Sequence, residues 1–326
     1  MSVPKVTVGM PVYNGERFVA EAIASVLAQT FTNFELIISD NASTDSTGEI
    51  CHSYAEQDER IRYYRSDRNR GAAANFNRTF ELARGRYFKW AAHDDLLAPD
   101  YLDKCVASLD ADPGAVLCQP LVNEIDEKGE SREIFDSRLL GTTSSRPSDR
   151  FAPLVLERDI CKEIFGLIRK DALSRTSLHA DYAGQDRALL AELSLLGRFI
   201  KLPEPLFIHR DHPDRSIWTT IARDERILTP YHPDRIMEWY NPDRVGERVW
   251  HRWTLYDAYF RMVRRHVADR AERIRCYGYL VRYLCVSTNL RDLVAEAASA
   301  VDRRPVLALR AMKRRLLRQR QPLSEG

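Results

Sequence analysis

The sequence predicts an α/β protein: a mostly parallel, doubly wound sheet followed by a mainly helical C-terminal extension. Three observations carry this expectation. Short β-favouring runs alternate with amphipathic segments of about 10–15 residues through the first third of the chain. Several of those runs stop abruptly at carboxylates or turn residues, as strands that open onto a ligand crevice do. Beyond Ser216 the pattern changes to one helix after another.

The elements follow in order. Lys5 to Met10 alternates as a strand and closes at Pro11-Val12-Tyr13-Asn14-Gly15. A helix follows, with Val19, Ile23, Val26 and Leu27 on one face. Glu35 to Asp40 is a second strand, and Asn41 to Thr47 supplies turn and N-cap chemistry for the next helix. Ile61 to Arg65 is a third strand. Asn69-Arg70-Gly71 then turns into a helix with Ala73, Phe76, Phe80 and Ala83 inside. Tyr87 to Ala92 is a buried strand ending at Asp94-Asp95, with a helix start at Pro99. Further strands are expected at 115–121, 163–169 and 203–212, with a hairpin turn at 127–130 and a mobile polar loop at 141–148. Gly184-Gln185-Asp186 opens a leucine-rich helix that Gly197 ends. Helices are expected near 220–228, 233–240, 245–267, 269–288 and 290–300, so the division falls at 1–216 and 217–326.

Composition narrows the function. The 326 residues are 44% hydrophobic and 29% charged, which describes a folded globular chain rather than a disordered one. Met1 to Met10 runs into a strand with no signal-peptide pattern, and the six cysteines lack paired metal-type spacing. A cytosolic protein with reduced thiols is the expectation. The first strand–helix turn has neither G-x-G-x-x-G nor G-x-x-x-x-G-K-[ST], which argues against a dinucleotide oxidoreductase and a P-loop NTPase. A nucleotide held by this sheet would be held by side chains and a metal.

Asp94 and Asp95 stand just past a buried strand, and two hard oxygen ligands there suit Mn²⁺ or Mg²⁺ bridging a diphosphate. An Asp-Asp turn capping the next helix is the structural alternative. Asp40, at the end of the second strand, accepts hydrogen bonds only. Were a nucleobase set against it, as a family resemblance carried by this motif implies, it would favour one with a ring N–H, namely uracil, thymine or guanine; the alternative is an N-cap or Asx turn.

Val8 to Asn14, Ile37 to Asp45, Asn69-Arg70-Gly71, His93-Asp94-Asp95 and Gln185-Asp186, in this order, resemble the family 2 glycosyltransferases, the inverting group with the GT-A fold. The resemblance covers about residues 4–216. It implies that Pro11, Val12 and Tyr13 line the base pocket, that Asp40 faces the nucleobase, and that Arg70 lies near base and phosphates. It further implies that Asp94 contacts the sugar nucleotide, that Asp95 ligates the cation, and that His212 is a further metal ligand. Surface exposure for Arg70 and a structural role for His212 are the alternatives. His93 stands where many relatives carry an acid and receives no role. Asp186 matches the family's catalytic base, which would take the acceptor proton. Gln185 replaces the usual neighbouring Glu, a loss of negative charge that should lower the pKa of Asp186 relative to a paired acid.

The expected activity is therefore metal-dependent, inverting hexosyl transfer from a UDP-, dTDP- or GDP-linked sugar to a glycan or lipid-linked acceptor, as in glycan, glycolipid or cell-surface polysaccharide synthesis. A sugar nucleotidyltransferase and a non-catalytic nucleotide-sugar binder are the alternatives. The former would need a glycine-rich basic loop that residues 11–16 lack. Finally, residues 303–320 hold eight basic residues and no acid. Without them the 41 remaining basic residues face 46 acids over residues 1–302, a balance of −5. Val306, Leu309, Met312, Leu316 and Leu317 gather on one side of a helix there. Such a helix can lie on an anionic membrane surface, peripheral on the inner face, or on the acidic body itself. Nucleic acid is not expected, because no aromatic residue interleaves with these charges.

Overall fold

The computed structural model describes residues 3–137, 141–157, 161–213, 215, 233–286 and 289–301. Its elements are β1 (Val6–Val12), α1 (Val19–Leu27), β2 (Phe34–Asp40), α2 (Thr47–Gln57), β3 (Ile61–Arg65), α3 (Ala72–Glu81), β4 (Tyr87–Trp90), β5 (Leu96–Leu97) and α4 (Tyr101–Ala111). There follow β6 (Ala115–Ile125), β7 (Ser131–Phe135), α5 (Pro147–Leu156), β8 (Leu167–Arg169), α6 (Lys170–Leu173), α7 (Gln185–Leu196) and β9 (Arg198–Arg210). The extension adds α8 (Pro233–Tyr240), α9 (His251–His266), α10 (Arg270–Cys285) and α11 (Asn289–Val301). The expected helix at 220–228 and the basic tail at 303–320 lie outside the described residues.

One sheet runs β3-β2-β1-β4-β8-β6-β9-β5, with β7 paired to β6. The run β3-β2-β1-β4 is parallel throughout. Beyond β4 the sheet is mixed, antiparallel at β4–β8 and β6–β8 and parallel again at β6–β9. Its strands alternate in facing: Leu36 and Ile38 join the core beneath α1 and α4, whereas Ile37 joins the core beneath α3, α5 and α7. That second core also takes in Tyr259, Met262, Val263, Cys276 and Leu280, so α9 and α10 pack directly on the α5–α7 layer.

Two expectations are corrected. The segment taken as a strand from 163 is a 3-10 turn at Lys162–Phe165, and the strand begins only at Leu167. The apolar residues Ile164 and Phe165 mimicked strand content, but four residues suffice for one tight turn. The polar loop at 141–148 closes into α5, whose Pro147 stands in its first turn; α5 had no sequence expectation. Its Pro153 lies inside a helical turn, where proline is disfavoured.

The parallel half aims its carboxyl ends at one place. In register, Val12 neighbours Asp40 and Asp40 neighbours Arg65. The turn at Asn69–Gly71 lies against the extension: Gly71 has φ +84°, and a Cβ there would run into the Tyr240 carbonyl oxygen. Gly71→Ala should accordingly lose about 2 kcal/mol of stability from left-handed strain and that contact, read as a lower urea midpoint. An unchanged midpoint would show that the turn and α8 do not meet this way.

Candidate active site

The site begins at the end of β4. Asp94 and Asp95 meet the end of β9, where His209, Arg210 and His212 stand. Asp94 Oδ2 lies 3.0 Å from His212 Nε2, and Asp95 Oδ1 lies 2.9 Å from His209 Nδ1. Asp95 Oδ1 also accepts from the Arg210 backbone N–H at 3.0 Å. The Arg210 guanidinium donates to the Asp94 carbonyl at 3.2 Å and to Glu21 at 2.6 Å. Burial alone would raise the Asp94 carboxyl, but the hydrogen bond with His212 and the nearby His93 and His209 rings hold it well below the usual carboxylate range.

His212 thus pairs with Asp94, and Asp95 pairs with His209, which carries no motif in the sequence. The strand geometry explains it, since His209 is the penultimate residue of β9 and His212 lies beyond its end. Among the described residues no three His, Cys, Asp or Glu side chains already stand together as a metal cage. The donor set still fits a divalent cation that takes one or two protein carboxylates and completes its shell on substrate phosphates. Consistent with that, His209 Nε2 and His212 Nδ1 are buried with no hydrogen-bond partner. Gly15 brings the β1–α1 loop against His93, whose ring a Cβ at Gly15 would overlap.

The nucleotide side is built from two interlocked loops. Asn14 donates its backbone N–H to Ser43 Oγ at 3.0 Å, and its side chain accepts from Thr44 N–H at 2.8 Å. Asn14 and Ala42 hold positive φ, 50° and 63°, where the chain leaves β1 and β2. Pro11 and Val12 are buried, and Tyr13 is exposed beside them. Asp40, expected to face a nucleobase, stands at the end of β2. It is fully buried, accepting from Ser43 N–H at 2.8 Å, Tyr63 O–H at 2.8 Å and Arg65 at 2.7 Å. A carboxylate at a strand end beside an edge strand is within reach of that strand's side chains, so β3 covers it. Arg65, itself about half exposed, would have to swing away for a base to reach Asp40.

Arg70 extends outward and pairs with Asp67 at 2.9 Å, both exposed. Its turn is held by Asn41, which the sequence reading treated only as a cap. The Asn41 side chain accepts from Arg70 N–H at 2.9 Å and donates to Asn69 Oδ1 at 2.7 Å.

Asp186 opens α7 behind the left-handed Gly184, φ +86°. His179 Nδ1 lies 3.5 Å from its Oδ1, and the Gln185 side chain donates to the same oxygen. His179 is wedged against the rings of Phe76 and Trp90, 4.6 and 4.5 Å between centroids, and Trp90 is the last residue of β4. Asn77 fixes its backbone by bonds to both N–H and C=O. Burial pushes the His179 imidazole down to about 3, so it is neutral. Asp186 keeps 42% of its side chain accessible, on the solvent side of this ring cluster. Burial pushes its carboxyl up to about 6 against the opposing Gln185 hydrogen bond. The loop before α7 is tied to the extension, with Asp181 bonded to Arg244 and Asn241, and Ala183 N–H donating to His251 Nδ1.

A parallel half-sheet with an acidic pair at the end of β4 is the architecture of the GT-A glycosyltransferases. The S. aureus TarS structure with UDP-GlcNAc superposes with a TM-score of 0.60 at 15% identity, over 87% of this chain and 74% of that one. The mannosyltransferase PcManGT from Pyrobaculum calidifontis, in complex with GDP-Man and Mn²⁺, superposes with a TM-score of 0.51 at 18% identity, over 93% and 88%. At those identities the likeness is one of fold. The family model described as "Glycosyl transferase family 2" matches residues 7–172, half of the chain, and the chain belongs to that family. An uncharacterized glycosyltransferase of Haemophilus influenzae is 38% identical over 104 residues, 32% of this chain and 42% of that protein. Glycosyltransferase GlyA of Streptococcus pneumoniae is 35% identical over 99 residues, 30% of this chain and 14% of that protein. The chain thus spans less than half the length of either relative.

The carboxylate–imidazole pairing has a direct test. His212→Ala should cost about 1–3 kcal/mol by leaving a buried carboxylate unpaired. Adding Asp94→Asn should recover part of that loss in thermal unfolding. Strict additivity of the two changes would show that the pair is not coupled.

Proposed function

We propose that this protein is an inverting glycosyltransferase that moves a sugar from a nucleoside diphosphate sugar to an acceptor hydroxyl. The observation that carries the reading is Asp186: an accessible carboxylate, poised at about 6, joined through His179 and Trp90 to strand β4, whose continuation holds Asp94 and Asp95. A base with that pKa is ionised at neutral pH yet basic enough to take a proton in the transition state. The family and the nucleotide-sugar complexes of its structural neighbours support the same reading.

In the proposed reaction Asp186 removes the acceptor O–H proton as that oxygen attacks the anomeric carbon. The bond from that carbon to the diphosphate breaks in the same displacement, and the anomeric centre inverts. His179 stays neutral and keeps the carboxylate in place from below. Pro11, Val12 and Tyr13 line the base pocket with Asp40 behind them, while Arg70 and Asp94 serve the phosphates and sugar. Asp95, with His212 reached through Asp94, would hold Mn²⁺ or Mg²⁺, which when bound neutralises the departing diphosphate. The chain divides functionally near residue 216, the first part carrying the donor and the helical part bracing the base loop through Arg244 and His251. The acceptor is a glycan or a lipid-linked sugar of cell-surface polysaccharide synthesis, met in the cytoplasm at the inner membrane face through the basic tail 303–320. No described helix is long and apolar enough to cross a membrane.

Asp186→Asn should lower kcat about 10²–10⁴-fold, the usual contribution of a general base, while donor binding persists. Binding is read as thermal stabilisation by UDP-, dTDP- or GDP-sugars with Mn²⁺. Asp95→Ala should remove the Mn²⁺-dependent part of that stabilisation. Normal turnover by Asp186→Asn would overturn the base assignment. Pyrophosphate release from a nucleoside triphosphate and a sugar phosphate would favour a nucleotidyltransferase.

A further inference from the structure

The extension carries a surface that the catalytic reading does not use. Helix α10 turns Cys276, Leu280 and Tyr283 into the core shared with α5, α7 and α9. Its opposite face is open: Ile274 is 61% and Val281 62% exposed, nothing lies within 4 Å of a Cβ built on Gly278, and Cys285 is exposed. At 100° per residue these four positions fall within an arc of about 60°. Exposed Arg270, Arg275 and Arg282 flank the stripe. The one acid on this helix is Glu272, its side chain only 13% exposed and paired with Arg275. Neither Arg270 nor Arg282 has an acidic partner among the described residues. The neighbouring α11 repeats the chemistry, with Leu290 and Val294 exposed at 54% and 57% and Arg291 exposed between them.

We propose that the outer face of α10 is a docking surface for an anionic lipid bilayer. Charge selects the occupant. A second copy would set these arginines against their own images. The tail 303–320 would add eight basic residues with no acid to a face that is already positive. A nucleic acid would satisfy the arginines but leave Ile274 and Val281 in water. A bilayer surface satisfies both: Ile274 and Val281 enter the boundary between headgroups and acyl chains, and the arginines reach lipid phosphates from its edge. This extends the proposed membrane-side acceptor, but it rests on described helices and needs neither the tail nor the Asp186 assignment.

The test is flotation of the full chain with vesicles of phosphatidylglycerol and phosphatidylcholine, against phosphatidylcholine alone, at low salt. The natural chain should float with the anionic vesicles only. Ile274→Asn with Val281→Asn, both at exposed positions, should weaken that binding about tenfold with the tail unchanged. Arg275→Gln with Arg282→Gln tests the charged half separately and should weaken it to a similar degree, so the inference stays testable if one pair folds poorly. Binding by both double variants as tight as that of the natural chain would assign any membrane contact to the tail and overturn the α10 surface. Absence of binding by the natural chain would overturn it too. So would a dimer-to-monomer change in the variants on size exclusion, since the face would then join two copies.

Discussion

Two buried carboxylate–imidazole pairs hold the end of β4 against the end of β9, and the rest of the site takes its position from that junction. A carboxylate taken from water must be paired or it neutralises. Asp94 and Asp95 are paired twice over, by His212 and His209, and Arg210 closes the junction from its backbone and its guanidinium. The first carboxylate is thereby kept ionised against its burial. In the proposed reading, a divalent cation bound here would meet carboxylates that these pairs already orient.

From the same strand a second line of contacts runs to the base. Trp90 packs on His179, His179 sits beneath Asp186, and Phe76 of α3 closes the other side of the imidazole. The turn at Asn69–Gly71 and the loop before α7 are both braced by the extension, through Tyr240 and through Arg244 and His251. The helices after residue 232 are thus part of the wall around the chemistry, and a change in their packing reaches both halves of the site.

Local patterning made most of the fold legible. Strand β3 and helices α7 and α8 fall within a residue of where periodicity and capping placed them, because each is bounded by turn residues with a definite conformational preference. The mixed half was harder to read, since β8 is three residues long and α5 contains a proline, and neither leaves a periodic signature. Of the site, the acidic pair and Asp186 were visible as motifs. His209, His179 and Asn41 were not, because their importance lies in contacts across 114, 7 and 29 residues of chain rather than in local spacing. Asp40 is legible as part of a motif, and only the register of β3 reveals that Tyr63 and Arg65 cover it.

The central claim is that Asp186, raised by burial to about 6, is the group that takes the acceptor proton. The most direct measurement is the pH dependence of kcat/KM for sugar transfer, using the nucleotide sugar that most stabilises the protein. A base must be unprotonated to act, so the rate should hold level above about pH 6. Below it, the rate should fall tenfold per unit as the carboxylate protonates. A profile that stays level down to about pH 4.5, where an Asp186 of ordinary acidity would still be ionised, would contradict the account.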